Sequence, residues 1–265
     1  MKKSFVIPVV LFFFIVNLSF AQNSVDADTL RQNPTKADTI KVKTKIDKSL
    51  RPGFISFNLG MSHPVGSYGK TDDFYAAGYA TTGFQYNLEM AFFDDSKFTG
   101  FGFMAGGFFN PINKQTLLRS ADIPSFQPKT ITVSKNYRNT YLMVGPYLTF
   151  PAGRVLIDFK FLGGLVSANL PTYNLSGTVS LVGDRSYRLE DNQKPTLGYN
   201  FGTNIRFKTN SNFEFLVGCN YFSASPLFKY KFTRSQIMTN NDNFEYEGRQ
   251  SITSFNINWG FAFRL

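Results

Sequence analysis

The last eleven residues of the chain alternate between large apolar side chains and small or polar ones. The odd positions from Phe255 to Leu265 are apolar, and the even positions from Asn256 to Arg264 are small or polar. Successive side chains of a β-strand point to opposite faces, so this segment has one apolar and one polar face. Such a strand suits lipid on one side and a polar barrel interior on the other, which predicts a transmembrane β-strand.

Seven further segments alternate in the same way, which gives eight predicted strands with consistent apolar faces. They favour an all-β fold, an eight-stranded antiparallel up-and-down transmembrane β-barrel. The predicted strands are Phe54–Ser62, Gly78–Phe92, Phe98–Asn110, Asn139–Phe150, Arg154–Ala168, Thr196–Phe207, Asn212–Phe222 and Ile252–Leu265.

Three details of the pattern leave alternatives open. Segments 129–137 and 235–247 alternate more weakly, so they either extend strands above the membrane or give a ten-stranded barrel. Residues 228–234 alternate aromatic with basic side chains, which indicates either a contact surface or a strand that continues above the bilayer. Pro146 lies inside the fourth predicted strand and removes a ladder hydrogen bond, so we expect a β-bulge there.

The connections differ at the two ends of the predicted barrel. Three are tight turns, at residues 94–97, 151–153 and 208–211, whereas the other four are long and polar. Short turns at one end and long loops at the other are typical of outer-membrane barrels, with the short turns in the periplasm. A soluble β-sandwich would also alternate, but its turns would have similar lengths at both ends.

The N-terminus has the pattern of a secretory signal peptide. Two lysines precede an apolar run from Phe5 to Leu18, and small residues follow up to Ala21. The run is shorter than the roughly 20 residues of a membrane-spanning helix. We predict a signal peptide over residues 1–21 with cleavage near Ala21, a flexible periplasmic leader over 22–52, and a barrel over 53–265.

Composition fits this class and excludes others. The chain carries a net charge of +10 and 17% aromatic residues, mostly phenylalanine, which suits a lipid-facing wall with aromatic girdles. Export and alternation argue against nucleic-acid binding. The chain has one cysteine, Cys219, and one histidine, His63, so we expect no intrachain disulfide, no metal site and no cofactor.

Ser62 and His63 stand side by side at the outer end of the first predicted strand, where a Ser–His pair would suggest lipid hydrolysis or acyl transfer. Adjacent strand residues point to opposite faces, so the two side chains are badly placed to act on each other. We therefore expect no catalytic residue and no enzymatic activity, and a lipid-modifying enzyme is the least favoured alternative.

Six charged residues fall on the predicted inward face, three of each sign. The interior of an eight-stranded barrel is just wide enough for side chains to fill it, and a buried charge needs a partner. We predict a structural ion-pair network near the periplasmic end and no open pore; a proton or ion path is the alternative. The six residues are Glu89, Asp158, Lys160, Arg206, Glu214 and Arg264.

The second long loop carries five basic residues and one acidic residue, Asp122. If it faces outward, its charge favours contacts with the phosphorylated headgroups of outer-membrane lipids and lipopolysaccharide. Ordinary solubilising charge is the alternative explanation. The five basic residues are Lys114, Arg119, Lys129, Lys135 and Arg138.

Two runs, Gly-Met-Ser-His-Pro-Val-Gly-Ser-Tyr-Gly at 60–69 and Ala-Gly-Tyr-Ala-Thr-Thr-Gly-Phe at 77–84, precede that loop. With the terminal strand, they resemble the outer-membrane β-barrel domain family of Gram-negative bacteria, small OmpA/OmpX-like barrels that include PorT-like proteins. The resemblance covers roughly residues 53–265 and implies an outer-membrane location and insertion by the barrel-assembly machinery through the C-terminal strand.

The resemblance supplies no shared catalytic motif, and PorT-like members are associated with protein secretion. We expect a monomer with a structural or surface-interaction role, with a periplasmic or surface protein as a further partner. An accessory role in secretion, with the leader as the periplasmic contact, is the second hypothesis.

Overall fold

The computed structural model describes residues 53–71, 77–94, 98–121, 127–179, 183–192, 195–236 and 239–265. The chain divides into two units, residues 1–46 and 47–265, and all described residues belong to the second. The predicted signal peptide, its cleavage site and the leader lie outside the described residues.

The described residues form thirteen β-strands, a short 3-10 helix at Gly66–Tyr68 and one α-helix, α1, at Lys114–Ser120. The strands, numbered in chain order, are β1 Gly53–Pro64, β2 Gly83–Phe93, β3 Thr99–Asn110, β4 Gln127–Lys135, β5 Tyr137–Ala152, β6 Val155–Asn169, β7 Thr172–Val179, β8 Gly183–Asn192, β9 Thr196–Lys208, β10 Phe213–Ala224, β11 Leu227–Gln236, β12 Thr239–Arg249 and β13 Ile252–Arg264.

Eight of these strands close into a barrel in the order β1-β13-β10-β9-β6-β5-β3-β2, with every neighbouring pair antiparallel. Closure gives each strand two hydrogen-bonded neighbours, which is what a sheet needs inside a bilayer. The barrel strands coincide with the eight predicted ones, and the predicted fold class is confirmed.

The largest boundary difference is at β2, which begins at Gly83 instead of Gly78. The backbone N–H groups of Gly78, Tyr79 and Ala80 donate to carbonyls of the preceding loop, at residues 67, 70 and 68. Tyr79 also has a positive φ of 53°. These residues therefore fold back over the mouth of the barrel and do not join its wall.

The other five strands form a second antiparallel sheet in the order β12-β11-β8-β7-β4. Each strand leads along the chain into or out of one barrel strand: β12 into β13, β11 from β10, β8 into β9, β7 from β6, and β4 into β5. The weaker alternation at 129–135, 235–236 and 239–247, and the aromatic–basic alternation at 228–234, belong to this sheet. The ten-stranded alternative is therefore wrong.

The β-bulge expected at Pro146 is also wrong. The register of β5 with β3 is constant from Leu148 to Tyr137, and Pro146 pairs with Phe101 within it. Toward β6 the register is the same before and after residues 145 and 146, which are left out of the pairing. The wall thus accommodates the missing N–H by a local gap in one ladder, without an inserted residue.

The outer wall of the barrel is apolar on every strand. In β13 the odd positions from Phe255 to Phe263 are exposed and the even positions from Asn256 to Ala262 are buried, as the alternation predicts. A continuous exposed apolar surface of this kind marks contact with a membrane or a partner. One exposed example from each barrel strand is Phe57, Leu88, Phe103, Leu142, Phe161, Phe201, Phe215 and Ile257.

Candidate functional site

Arg206 is the centre of a buried ion-pair cluster inside the barrel. Its Nε lies 2.6 Å from Asp158 Oδ2, and its NH1 lies 2.8 Å from Glu214 Oε2. Thr149 donates its hydroxyl to Asp158 Oδ1 at 2.7 Å. The guanidinium also lies over the ring of Phe54, with Cζ 4.1 Å from its centre. Two carboxylates and one aromatic face therefore surround a single cation.

Arg264 connects this cluster to the tight turn between β9 and β10. Its Nε lies 3.2 Å from Glu214 Oε1, and its NH2 donates to the carbonyl of Ser211. The side chain of Arg264 is 15% exposed, whereas that of Glu214 is fully buried. The cluster thus reaches from the lumen to the short-turn end of the barrel.

A second ion pair lies one step further into the lumen. Lys160 Nζ is 2.5 Å from Glu89 Oε1, and both side chains are fully buried. The other carboxylate oxygen accepts hydrogen bonds from Asn204 Nδ2 at 2.8 Å and from the Tyr147 hydroxyl at 3.4 Å. Every predicted inward charge thus has an oppositely charged partner within 3.2 Å.

The ion pair between Arg206 and Glu214 does not join residues that lie directly opposite each other in the β-ladder. Arg206 and Glu214 flank the turn symmetrically, but the residues directly opposite them in the ladder are Leu216 and Lys208. The two charged residues are diagonal neighbours, which long side chains can bridge. Asp158, from β6 on the other side of β9, provides the second contact to Arg206.

Aromatic side chains close the lumen above the ion pairs, a layer that the predicted set of inward charges does not include. Phe108, Tyr141 and Phe222 are buried, and the ring of Phe222 lies 5.0 Å from that of Phe108 and 5.5 Å from that of Tyr141. They come from β3, β5 and β10. Their positions have inward parity, so strand parity alone would have found them.

Tyr68, from the 3-10 helix, forms a further plug at the mouth. Its ring lies 4.9 Å from that of Tyr137, and its hydroxyl donates to Asn110 Oδ1 at 3.1 Å and accepts from Asn139 Nδ2 at 3.2 Å. Tyr68 is fully buried, and burial raises the pKa of its phenol well above the ordinary value.

The structure separates the two residues of the candidate catalytic pair. Ser62 is buried in the lumen, with its Oγ 3.4 Å from Asn110 Oδ1. His63 is exposed, and its Nδ1 lies 2.9 Å from Thr82 Oγ1. The two side chains lie on opposite faces of β1, so His63 is not placed to activate Ser62.

Two further features, a metal site and a membrane-spanning helix, were searched for within the described ranges. No group of three or more His, Cys, Asp or Glu side chains comes together there as metal ligands. The helices of those ranges include none that is long and apolar enough to cross a membrane.

The five basic residues proposed to contact lipid lie on three elements. Arg138, at the start of β5, is exposed on the outer wall, and its Cζ lies 5.5 Å from the ring centre of Phe109. A guanidinium over an apolar wall residue is the arrangement expected at the border between hydrocarbon and headgroups. The others are Lys114 and Arg119 on α1 and Lys129 and Lys135 on β4.

A closed eight-stranded barrel with an apolar outer wall and a polar, paired interior defines a transmembrane β-barrel of the outer-membrane type. No family model matches the chain, and no curated protein matches it.

The chain is similar to solved structures of three outer-envelope proteins. Neisserial surface protein A is 9% identical, with a TM-score of 0.41, over 80% of this chain and 97% of that one. A major outer membrane protein from Thermus thermophilus is 11% identical, with a TM-score of 0.42, over 80% and 99%. The translocator domain of autotransporter NalP from Neisseria meningitidis is 9% identical, with a TM-score of 0.29, over 97% and 98%.

Proposed function

We propose that the protein is an integral outer-membrane β-barrel without an open pore that serves a structural or surface-interaction role at the cell envelope. The observation that carries this proposal is the closure of the lumen at two levels. Arg206 and its two carboxylates occupy the short-turn end, and Phe108, Tyr141 and Phe222 occupy the lumen nearer the mouth. A small barrel filled in this way leaves little room for bulk flow.

Planar-bilayer recording tests the closed state. We expect refolded protein to give no resolved single-channel conductance at moderate voltage. Reproducible unitary steps from the wild-type protein would contradict the proposal. Heat-modifiable migration in gels provides the folding control, because a folded barrel resists detergent until it is boiled.

The same gel assay, applied to fractionated cells, tests the location. We expect the protein in the outer-membrane fraction, with a mobility shift on boiling. Recovery in the soluble periplasmic fraction without a shift would instead favour a sandwich fold in the cell.

We further propose that the outer end of the barrel contacts lipopolysaccharide phosphates. Arg138, held over Phe109 on the outer wall, supports this most directly. Arg138→Gln is expected to weaken binding to lipopolysaccharide micelles. Arg154→Gln, an exposed arginine in the opposite, short turn, is the matched control and should bind as the wild type does. Equal binding by both variants would remove Arg138 from the proposal.

An accessory role in protein secretion is the second candidate. It rests on the sequence of residues 22–52, which contains Lys41, Lys43, Lys45 and Lys48. Deletion of residues 22–50 is expected to abolish secretion while the barrel stays in the outer membrane. Normal secretion by the deletion variant would exclude the leader as the contact.

A further inference from the structure

The wall of the barrel has a break in the ladder between β5 and β6. Val144 pairs with Gly163 and Tyr147 pairs with Lys160, but the two residues of β5 between these pairs have no assigned partner on β6. On its other side β5 stays in register with β3 through the same two residues. The break therefore lies in one ladder of the wall and does not interrupt the strand itself.

Backbone hydrogen bonds show which way Pro146 faces within this break. The N–H of Thr149 donates to the carbonyl of Phe98 on the β3 side, so odd-numbered residues of β5 face β3 and even-numbered ones face β6. The register that holds above and below the break places Phe161 opposite Pro146. Proline has no N–H, so the Phe161 carbonyl has no donor opposite it in the ladder. A carbonyl left in this way is costly inside a bilayer, where no water replaces the donor.

Glycines lie beside the break on both faces of the wall. Gly145 lies so close to β6 that a methyl group on it would overlap the Phe161 carbonyl oxygen. Gly163 is exposed on the outer face, and a methyl group there would find no atom of another strand nearer than 3.9 Å. Neither glycine contributes a side chain that could hold the two strands together.

The lumen behind the break is lined by apolar side chains. Met143 and Leu162 face inward there and are fully buried. Met104 lies directly opposite Met143 on β3 and is also fully buried. The lining becomes charged at Lys160, the next inward residue of β6 toward the floor, so the apolar lining spans the break and ends just below it.

We propose that the β5–β6 ladder at Pro146 is a weak seam, at which the wall opens locally toward the bilayer while the two ends of the lumen stay closed. A strand pair that already lacks one hydrogen bond costs less to separate, and local opening begins where the backbone is least well bonded. The apolar lining lets hydrocarbon fill the opening. The seam goes beyond the absence of a pore, because a barrel with a complete β5–β6 ladder would be equally non-conducting.

Amide hydrogen exchange of the folded protein in lipid bicelles, followed by nuclear magnetic resonance, tests the seam. The N–H of Lys208 donates to the Arg154 carbonyl, so even-numbered residues of β6 face β9 and odd-numbered ones face β5. The amide of Phe161 faces the seam, and that of Leu162 lies at the same depth but faces β9. We expect the Phe161 amide to exchange about tenfold faster than the Leu162 amide. Equal rates, or full protection of both amides, would overturn the proposal.

Pro146→Ala supplies a second readout, because it places an N–H opposite the Phe161 carbonyl. The urea midpoint should rise, since the regained hydrogen bond outweighs the freedom that alanine gives the unfolded chain. Exchange of the Phe161 amide should slow to the rate of Leu162. Pro151→Ala is the matched control in the same strand, because the β5–β6 register is intact at Pro151, and it should neither raise the midpoint nor slow that exchange.

An unchanged or lower midpoint for Pro146→Ala would sink the seam. If Pro146→Ala fails to fold, the exchange rates of the wild-type protein decide the matter.

Discussion

At the scale of single residues, the charged side chains inside the barrel are buried, and each is paired with an opposite charge. Glu214 and Asp158 are fully buried and share Arg206. A buried ion pair is a poor source of stability compared with apolar packing, but breaking one partner leaves an uncompensated charge in a low-dielectric site. The network therefore makes the floor of the barrel intolerant of single changes.

Arg206→Met is expected to destabilise the folded barrel by about 3–5 kcal/mol, because it leaves the buried Asp158 carboxylate without a cation and Glu214 with Arg264 alone. Urea unfolding followed by the fluorescence of the single tryptophan, Trp259, measures the change. Arg154→Met, in an exposed turn, is the control and should leave the midpoint unchanged. A loss below about 1 kcal/mol for Arg206→Met would show that water already reaches these carboxylates.

The contact between Lys160 and Glu89 can be tested directly with single and double variants. Lys160→Met alone leaves Glu89 buried without its cation and should be strongly destabilising. Adding Glu89→Gln removes the stranded charge, and the amide can still accept from Asn204, so the double variant should regain much of the loss. The urea midpoints of the two single variants and the double variant form the cycle that measures this coupling. Strictly additive losses would contradict the direct pairing.

At the scale of elements, strands and loops follow different rules. Each barrel strand has an apolar outer face and a polar inner face, so its alternation is strong. The predicted strand ends therefore fall close to the observed ones at seven of eight strands. The five-stranded sheet joins two hairpins, β7–β8 and β11–β12, with the pairs β4–β7 and β8–β11, whose strands are separated in the chain by two barrel strands. Their weaker alternation predicted strand segments, but it predicted neither how many strands form nor how these strands pair.

Helix α1 is an element whose stability rests on a local cap. The side chain of Asn113 accepts a hydrogen bond from the backbone N–H of Thr116 at 3.1 Å. Asn113→Ala should cost the helix about 1 kcal/mol and increase trypsin cleavage at Lys114 and Arg119. Gln115→Ala, an exposed position on the same helix, should not change the cleavage rate. Global unfolding or a lost gel shift in Asn113→Ala would contradict a purely local cap.

At the scale of the whole molecule, the barrel wall is one closed sheet with an apolar outer face and a polar inner face. Outward positions carry apolar side chains, whereas inward ones carry paired charges and amides. The mouth is blocked by loop residues, with the Tyr68 ring against Tyr137. The five-stranded sheet continues from the barrel strands at the end opposite the tight turns.

Cys219 reports on the outer wall as a whole, because it is the single cysteine and is exposed on that wall. In intact bilayers we expect Cys219 to resist both a lipid-soluble and a charged, membrane-impermeant maleimide, because only the thiolate attacks a maleimide and hydrocarbon does not stabilise that anion. Both reagents should react after unfolding in urea. Labelling of the folded, bilayer-embedded protein by the charged reagent would mean that this face contacts water.

The sequence by itself determined the strand positions, the inward set of charges and the sidedness of the connections. These follow from local rules, since side-chain parity is fixed by the pleat and turn lengths are read along the chain. The tertiary structure decided which charge meets which, as with Asp158 on Arg206. Those contacts depend on the register between neighbouring strands and on side-chain rotamers, so the alternation along any one strand does not encode them.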